Sequence, residues 1–401
     1  KGEEFAAHVY LSCYLIRLVK TYNGEGKLNN PIKDVPNYAN YFAAHYDEIT
    51  IPEKGSDGKT VTKIAAGAFN GMKGLKKVTL PETVTIIGSG AFENCISLAE
   101  TGLTSAITEI GASAYKGCSS LTEVTFGPLV ASVGAKAFED AVNVANIYYN
   151  SKTTTNFSAG AGVFGNAGAN AGEITLTIGS AVTVVPGGLF GCDGGGTAEY
   201  LTKVVFEPGR ASSVTLDRFA FAYSGLRTIE PNGRLRSVKS NAFRECKNFT
   251  EFDFEGSGLT AAEENAFSYS RLVTVILSEE VTSIEQNAFY ACKDLESVYY
   301  RGQNGATSIG EGAFAPEGLT SSSALRRFTS IEEKENAAPA DEIRLPSVAI
   351  LGKWAFRGAA SVKSLYLGGT GANIGVEVFY GASGITSIVY DIQTCGDVSS
   401  T

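Results

Sequence analysis

The sequence predicts a solenoid, in which one short structural unit is repeated along the chain and each copy packs against its neighbours. Two observations support this prediction. An aromatic residue recurs about every 23 residues along most of the 401-residue chain, and an aliphatic position and a strand-like segment recur at fixed offsets from it. A chain of this length also exceeds the size at which a single compact core normally keeps growing, so a repeat array or several domains are expected.

The aromatic position is the clearest column of the repeat. Its successive steps are 23, 23, 23, 26, 26, 31, 22, 24, 22, 25, 42 and 23 residues. The period lies within the roughly 20–29 residues of leucine-rich repeats, so the predicted fold class is a leucine-rich-repeat solenoid of about 13 repeats of ~23 residues. The column consists of Phe69, Phe92, Tyr115, Phe138, Phe164, Phe190, Phe221, Phe243, Phe267, Phe289, Phe314, Phe356 and Phe379.

Further columns keep the same register. An aliphatic residue such as Ile87 lies five positions before the aromatic, and glycine often follows it, as at Gly88, where we expect a turn that needs a permissive backbone. Three positions after the aromatic the side chain is small, and an L-x-x-V-x-L segment follows. The alternation in that segment predicts a short strand with one buried face. Stacking would bury the aromatic and aliphatic columns in a shared core.

The unit from Val84 to Leu98 reads Val-Thr-Ile-Ile-Gly-Ser-Gly-Ala-Phe-Glu-Asn-Cys-Ile-Ser-Leu. It resembles the repeat of the BspA-type (also called Treponema-type) leucine-rich-repeat family, and the resemblance covers about Ile49 to Tyr390. The resemblance implies a right-handed solenoid of α/β-type repeats with short parallel strands on one face. It also implies an exported bacterial protein, located on the cell surface or secreted, and some members of this family act as adhesins.

Three stretches that depart from the repeat are predicted loop insertions, near residues 150–172, 191–200 and 329–342. The last lies in the 42-residue step, which holds either an extruded loop or one degenerate extra repeat. Residues 1–48 do not fit the pattern and are predicted to form a partly helical N-terminal cap on the solenoid of residues 49–401. The repeat runs to Tyr390, so we hypothesise that the natural protein continues beyond Thr401 or that a loop or a partner covers the last rung.

Composition excludes some partners. The formal net charge of −9, with acidic and basic residues interspersed, gives no basic patch for nucleic acid. No stretch reaches the roughly 18 uncharged apolar residues needed to cross a bilayer. Contact with a membrane is therefore expected only through an anchor outside this sequence.

Catalytic, cofactor and metal sites are not predicted. The two histidines, His8 and His45, lie outside the repeats and in no recognisable nucleophile motif. The stretch from Thr21 to Ile32 only faintly resembles a calcium-binding loop, because these two residues occupy positions that require acidic ligands. The protein is therefore not expected to be an enzyme.

The cysteines raise the question of disulfides in an exported protein. Cys95, Cys118, Cys246 and Cys292 share the small-residue column with alanine and serine, which favours free, buried thiols. Only Cys95 and Cys118 lie on adjacent rungs, where a bridge is geometrically conceivable.

The residue between the last two apolar positions of each strand is expected to point away from the core. Aromatic residues there suit contacts with proteins or sugar rings. The alternative is that tyrosine, valine and isoleucine occur at these positions only because of their high β-strand propensity. The expected partner is an extracellular protein or host surface component, with a glycan as the alternative and an enzymatic role third. The candidate binding face comprises Tyr148, Asp253, Ile276, Tyr299, Arg344 and Tyr366.

Overall fold

The computed structural model describes residues 27–28, 47–54, 60–152, 162–191, 198–210, 213–246, 248–301, 307–332, 341–368 and 373–390. The predicted cap at residues 1–48 lies almost wholly outside these residues, as do both histidines and most of the stretch that resembles a calcium loop. The central parts of the three predicted loop insertions also lie outside them. The proposed domain boundaries therefore remain predictions.

The chain divides into two compact units, and each is described separately. The first unit spans Lys1–Glu207. Its strands are β1 (Lys27–Leu28), β2 (Glu48–Thr50), β3 (Lys63–Ile64), β4 (Lys77–Thr79), β5 (Ile86–Ile87), β6 (Glu109–Ile110), β7 (Glu123–Phe126), β8 (Ser132–Val133), β9 (Asn146–Tyr149), β10 (Ile174–Ile178), β11 (Val184–Val185) and β12 (Leu201–Phe206).

The second unit spans Pro208–Thr401. Only residues 331 and 332 are helical in the described part of the chain. The strands of the second unit are β13 (Val214–Leu216), β14 (Thr228–Glu230), β15 (Leu235–Val238), β16 (Glu251–Asp253), β17 (Ala261–Ala262), β18 (Thr274–Leu277), β19 (Ser283–Ile284), β20 (Ser297–Tyr300), β21 (Ser308–Ile309), β22 (Arg327–Ser330), β23 (Glu342–Leu345), β24 (Ile350–Leu351), β25 (Ser364–Leu367), β26 (Asn373–Ile374) and β27 (Ser387–Tyr390).

Each typical repeat contributes one strand to each of two parallel ladders. In the first unit, β3, β5, β6 and β8 form the shorter-stranded ladder, and β7, β9, β10 and β12 pair in a second sheet. In the second unit, the order β16-β18-β20-β22-β23-β25-β27 forms one sheet and β17-β19-β21-β24-β26 the other. Equivalent residues of successive repeats lie side by side, which confirms the predicted leucine-rich-repeat fold with short parallel strands. The described repeats differ from the α/β type that the resemblance implies, because their second segment is a short strand and not a helix.

The aromatic column forms the centre of the core in each unit. Phe69 stacks on Phe92 with ring centroids 5.2 Å apart, and Phe289 stacks on Phe314 at 5.4 Å. Every member except Phe379, on the last described rung, is buried. Such ring pairs contribute about 0.5–1.5 kcal/mol each beyond the burial of their apolar area. The prediction that these residues are core is confirmed for all members except Phe379.

The glycine after the aliphatic column has a different role from the one expected. Gly88 does not have a positive φ, but a Cβ atom there would lie 2.5 Å from the backbone nitrogen of Ala66 on the preceding rung. Glycine is needed because neighbouring backbones approach closely, not because a turn requires it. The left-handed backbone occurs instead two positions before each core aromatic: Gly67, Gly90, Ser113, Lys136, Gly162, Gly188, Phe219, Asn241, Asn265, Asn287, Gly312, Trp354 and Glu377.

The 42-residue step contains one additional strand. β22 pairs with β20 on one side and with β23 on the other. In the other ladder β21 pairs directly with β24, and the ring of Phe314 stacks on that of Phe356 at 5.4 Å. In the described residues, the step therefore holds a degenerate repeat that contributes one strand, which lengthens one sheet and leaves the aromatic column unbroken.

Candidate binding surfaces

In the second unit, the middle of the predicted binding face is buried. Asp253, Ile276 and Tyr299 lie side by side on β16, β18 and β20, as the repeat register predicts. Ile276 is only 5% exposed and Tyr299 only 4%. The next residue in this file, Thr329 on β22, is fully buried. The expectation that Ile276 and Tyr299 are displayed to a partner is therefore wrong.

An arginine bridge spans the strand that carries Ile276. Arg301 directly follows β20, and its Nη2 lies 2.9 Å from Oδ2 of Asp253 at the end of β16. Its Nε lies 2.7 Å from Oε2 of Glu255. Because β18 lies between these two strands, the arginine side chain must cross β18 to reach both carboxylates. Its alkyl stem and guanidinium cover the end of β18 that carries Ile276.

The last rungs of the same sheet remain partly open. Arg344 on β23 and Tyr366 on β25 are neighbours in register, and both are partly exposed. The guanidinium carbon of Arg344 lies 4.0 Å from the ring centroid of Tyr366, which is a cation–π contact. Val389 on β27 follows in the same file and is 49% exposed. These three residues, named here the C-terminal face, form a surface with an arginine, an aromatic and an aliphatic side chain.

The sheet of the first unit displays its tyrosine. Tyr148 on β9 is flanked in register by Thr125 on β7 and Thr177 on β10. Tyr148 and Thr177 are partly exposed, and Thr125 is exposed. Because threonine is much smaller than tyrosine, the ring of Tyr148 stands above its neighbours. Of the six predicted residues, four are thus partly accessible: Tyr148, Asp253, Arg344 and Tyr366.

A second surface lies at the turn after each core aromatic. We call the residues one and two positions after the aromatic the turn flank. In the second unit, the guanidinium carbon of Arg244 lies 4.0 Å from the ring centroid of Tyr269, and Arg244 Nε donates a hydrogen bond of 3.0 Å to the hydroxyl of Tyr223. The rings of Tyr269 and Tyr290 meet edge to face at 5.7 Å. All four side chains are partly exposed.

The electrostatics of this flank favour the neutral form of Tyr269. Partial burial raises the pKa of its phenol, and the nearby carboxylate of Glu317 raises that pKa further. The hydroxyl of Tyr269 donates a hydrogen bond of 3.5 Å to Glu317. The phenol is therefore a stable hydrogen-bonding group at neutral pH.

Sequence reasoning did not single out the turn flank. Tyr223 and Tyr269 both lie two positions after a core aromatic, and both have a left-handed backbone, with φ of 62° and 58°. Aromatic residues are unusual at such a backbone position. Their recurrence at one offset was the signal in the sequence that could have identified this surface.

The turn flank of the first unit is ionic rather than aromatic. Glu139 forms ion pairs with Lys116 and with Lys136. Burial opposes ionisation of Glu139, but the hydrogen bonds and charges of the two lysines outweigh it and lower its pKa. Asn70 donates to Glu93, and Asn166 donates to Asp140, both at 2.9 Å. The Lys136–Glu139 pair lies within one rung and the other contacts join successive rungs, and the described turn flank of this unit carries no aromatic residue.

The small-residue column holds free thiols, as predicted. The Sγ atoms of Cys95, Cys118, Cys246 and Cys292 each donate to the carbonyl oxygen of the core aromatic one rung before, at 3.0, 3.1, 3.0 and 3.0 Å. Burial raises the pKa of Cys95, Cys246 and Cys292 to about 12 and that of Cys118 upward as well. These thiols are structural hydrogen-bond donors with little tendency to react as thiolates.

Among the residues that the structure describes, no group of three His, Cys, Asp or Glu side chains lies in an arrangement that could hold a metal ion. No helix among those residues is long and apolar enough to cross a membrane.

Comparison with known proteins places these repeats in a family. The model of the BspA type leucine rich repeat region matches residues 28–166, 214–338 and 335–398, in six copies. No curated protein matches the chain.

Several solved structures are similar to the chain. A leucine-rich repeat protein from Bacteroides ovatus is 20% identical, with 87% of this chain and 74% of that chain covered and a TM-score of 0.42. A protein from Faecalibacterium prausnitzii described as a leucine rich cell surface protein is 21% identical, with 92% of each chain covered and a TM-score of 0.35. A leucine rich repeat protein of T. pallidum is 20% identical, with 50% of this chain and 77% of that chain covered and a TM-score of 0.33.

Proposed function

The chain belongs to the BspA-type leucine-rich-repeat family, and from this premise we propose that it is a protein-interaction module that acts without catalysis. The observation that supports this proposal best is the C-terminal face, where Arg344, Tyr366 and Val389 stay accessible on consecutive strands of one sheet. In the middle of the same sheet, the corresponding side chains are buried.

The chemistry of this face is that of a protein interface. Tyrosine and arginine are the residue types that most often dominate the binding energy of protein complexes. The stacked pair of Arg344 and Tyr366 holds both side chains in one geometry, so little side-chain entropy remains to be lost on binding. β25 pairs with strands on both sides, which fixes the backbone beneath Tyr366.

The first unit offers a separate anchor of the same kind. Tyr148 is partly exposed between two threonines on a regular parallel sheet. Glu123 and Asn146, which precede Thr125 and Tyr148 by two positions, supply polar groups beside it. An aromatic centre with a polar rim is the usual composition of a binding patch.

We further propose that the protein acts outside the bacterial cell, on the surface or secreted, and that its interaction serves adhesion to an extracellular or host component. The family supports this location, and the acidic net charge of −9 makes nucleic acid an unsuitable partner. Protease treatment of intact cells that express the protein tests the location. Loss of the protein from undamaged cells, or its recovery from the medium, is expected, and full retention inside intact cells would contradict it.

The binding experiment uses an array of purified extracellular proteins, followed by affinity measurement on each hit. The double variant Arg344→Ala/Tyr366→Ala is expected to weaken binding at least about 30-fold, since removal of interface anchors costs about 2 kcal/mol or more. The matched control is Arg236→Ala/Tyr290→Ala, which removes the same residue types from other surfaces. Equal affinity of the double variant and the wild type for every hit, or the absence of any hit, would reject the proposal.

A further inference from the structure

A cavity of about 250 Å³ opens on the turn flank of the second unit. It spans four successive rungs, since the residues two positions after four core aromatics line it: Glu245, Tyr269, Ala291 and Pro316. Pockets for drug-sized ligands usually measure about 300–1,000 Å³. The smaller volume of this cavity suits one small ligand or one unit of a larger ligand.

The cavity includes one rung with a small side chain. Ala291 lies between the larger Tyr269 and Pro316 in this column, so the flank dips at its rung. Ala291 has a φ of 57°, close to the 58° of Tyr269 and the 62° of Tyr223. The backbone at Ala291 would therefore accept a tyrosine as readily as its neighbours do.

The far wall of the cavity is held in place by a buried arginine. This wall includes Pro316, Glu317 and three consecutive serines at residues 321–323. Arg357 is 5% exposed, and its Nη2 donates to the carbonyl oxygens of Pro316 at 2.6 Å and Gly318 at 2.8 Å. Among the described residues no carboxylate pairs with it. These two hydrogen bonds from a buried side chain fix the backbone of Pro316 and Gly318, so the wall is anchored to the next rung.

The polar groups of the lining are mixed in kind and nearly balanced in charge. Glu245 and Glu317 offer carboxylate acceptors, and Lys293 offers an ammonium donor. The hydroxyls of Tyr269 and of the three serines both donate and accept. Ala315 and Phe314 add an apolar part of the floor.

We propose that this turn-flank cavity binds a neutral sugar residue, either free or at the end of a glycan chain. A cationic ligand would meet the ammonium of Lys293, and an anionic ligand would meet the carboxylates of Glu245 and Glu317. A neutral polyhydroxyl ring can donate to the two carboxylates and accept from the lysine. Its carbon–hydrogen edge can lie against the apolar floor beside Tyr269.

Ligand-observed nuclear magnetic resonance tests the class of ligand. The probes are the methyl glycosides of glucose, galactose and mannose together with N-acetylglucosamine, each at up to about 50 mM so that weak binding is visible. n-Butylammonium and methyl glucuronide report on a cationic and an anionic site. At least one neutral sugar is expected to show saturable binding. A short N-acetylglucosamine oligomer that binds more tightly than the monomer would indicate a glycan chain as the source.

Two variants test whether the binding occurs in this cavity. Ala291 is 8% exposed, and Ala291→Tyr places in the dip a residue that the column already carries, so it is expected to abolish the signal; the melting temperature checks that the variant is folded. Glu317→Gln changes one exposed carboxylate and is expected to weaken binding about 10-fold, the usual loss for a hydrogen bond to a charged group. Glu311→Gln, an exposed carboxylate of the same rung outside the cavity, is the control and is expected to bind like the wild type.

The outcomes that overturn the proposal are distinct. No neutral sugar binding at the highest concentration, saturation by n-butylammonium or methyl glucuronide alone, or unchanged binding in the folded Ala291→Tyr variant would each reject it. None of these outcomes bears on the protein-interaction proposal, because that proposal rests on the C-terminal face.

Discussion

Tyr148 of the first unit and Tyr299 of the second unit occupy the same position in the repeat and have opposite exposures. Both are the third residue of a four-residue strand in a parallel sheet, in a file of side chains that points away from the aromatic column. Tyr148 is partly exposed between two threonines. Tyr299 is 4% exposed and lies beside Ile276, which the Arg301 bridge covers.

The difference shows that strand register decides the direction of a side chain and that its neighbours decide whether a partner can reach it. Arg301 and Asp253 are 48 residues apart in the sequence, and the ion pair crosses a whole rung. A repeat array can therefore keep its core columns while some of its outward-pointing strand residues are buried. Binding surfaces on such a sheet have to be located rung by rung.

The largest expected effect is a difference in stability between the alanine variants of the two tyrosines. Tyr299→Ala removes a buried ring and is expected to lower the free energy of unfolding by about 3 kcal/mol, as for other large-to-alanine changes in cores. Tyr148→Ala should cost less than about 1 kcal/mol, because its ring is partly exposed. Chemical denaturation of both variants measures the contrast. Equal losses would mean that the two side chains are equally packed.

The next-largest expected effect is the loss of stability when the side chain of Arg301 is removed from beside Ile276. Arg301→Ala removes two ion pairs and exposes part of the isoleucine, and the expected loss is about 1–2 kcal/mol. The control is Arg271→Ala, because Arg271 pairs with Asp294 at 3.0 Å in the same unit. This control should lose no more than about 0.5 kcal/mol, as is usual for a surface pair. If both arginine variants lose the same stability, the bridge does not shield Ile276.

The smallest expected effect is the loss of stability when the ionic turn flank of the first unit loses a charge. Glu139→Gln in the first unit is expected to cost about 0.5–1 kcal/mol at pH 7, the range of surface ion pairs. The pKa of Glu139 is lowered in the folded state, so its contribution is complete above the usual value of 4.5 and is lost as the pH falls through the lowered pKa. Wild type and variant should therefore converge in acid. A stability difference that persists unchanged at pH 2 would contradict the assignment.

Much of the fold was predictable because the core columns are local and periodic. The position of Phe92 and its counterparts, the strands and the free thiol at Cys95 all follow from offsets within one repeat. The role of Gly88 was not predictable in the same way, because the close contact that excludes a side chain is with Ala66 on another rung. Sequence periodicity shows that glycine recurs at this position, but it does not show the contact that requires glycine there.

The candidate surfaces were predictable only in part. The file that contains Tyr148, Arg344 and Tyr366 was correctly placed outside the core, since strand alternation determines it. The burial of Ile276 is not visible in the strand pattern, and the arginine bridge across its strand joins residues 48 positions apart. The turn-flank cavity depends on Ala291 being smaller than its neighbours and on Arg357 holding a wall across about 40 residues of sequence, with partners 41 and 39 residues away. Neither feature repeats, so periodicity could not reveal it.

Hydroxyl-radical footprinting with mass spectrometry tests the central claim most directly, because it reports the accessibility of each tyrosine in the free protein and with a protein partner from the array. The account predicts oxidation of Tyr148 and Tyr366 and little of Tyr299 in the free protein, and selective protection of Tyr366 on binding. Strong oxidation of Tyr299, or binding that leaves Tyr366 as reactive as before, would contradict it.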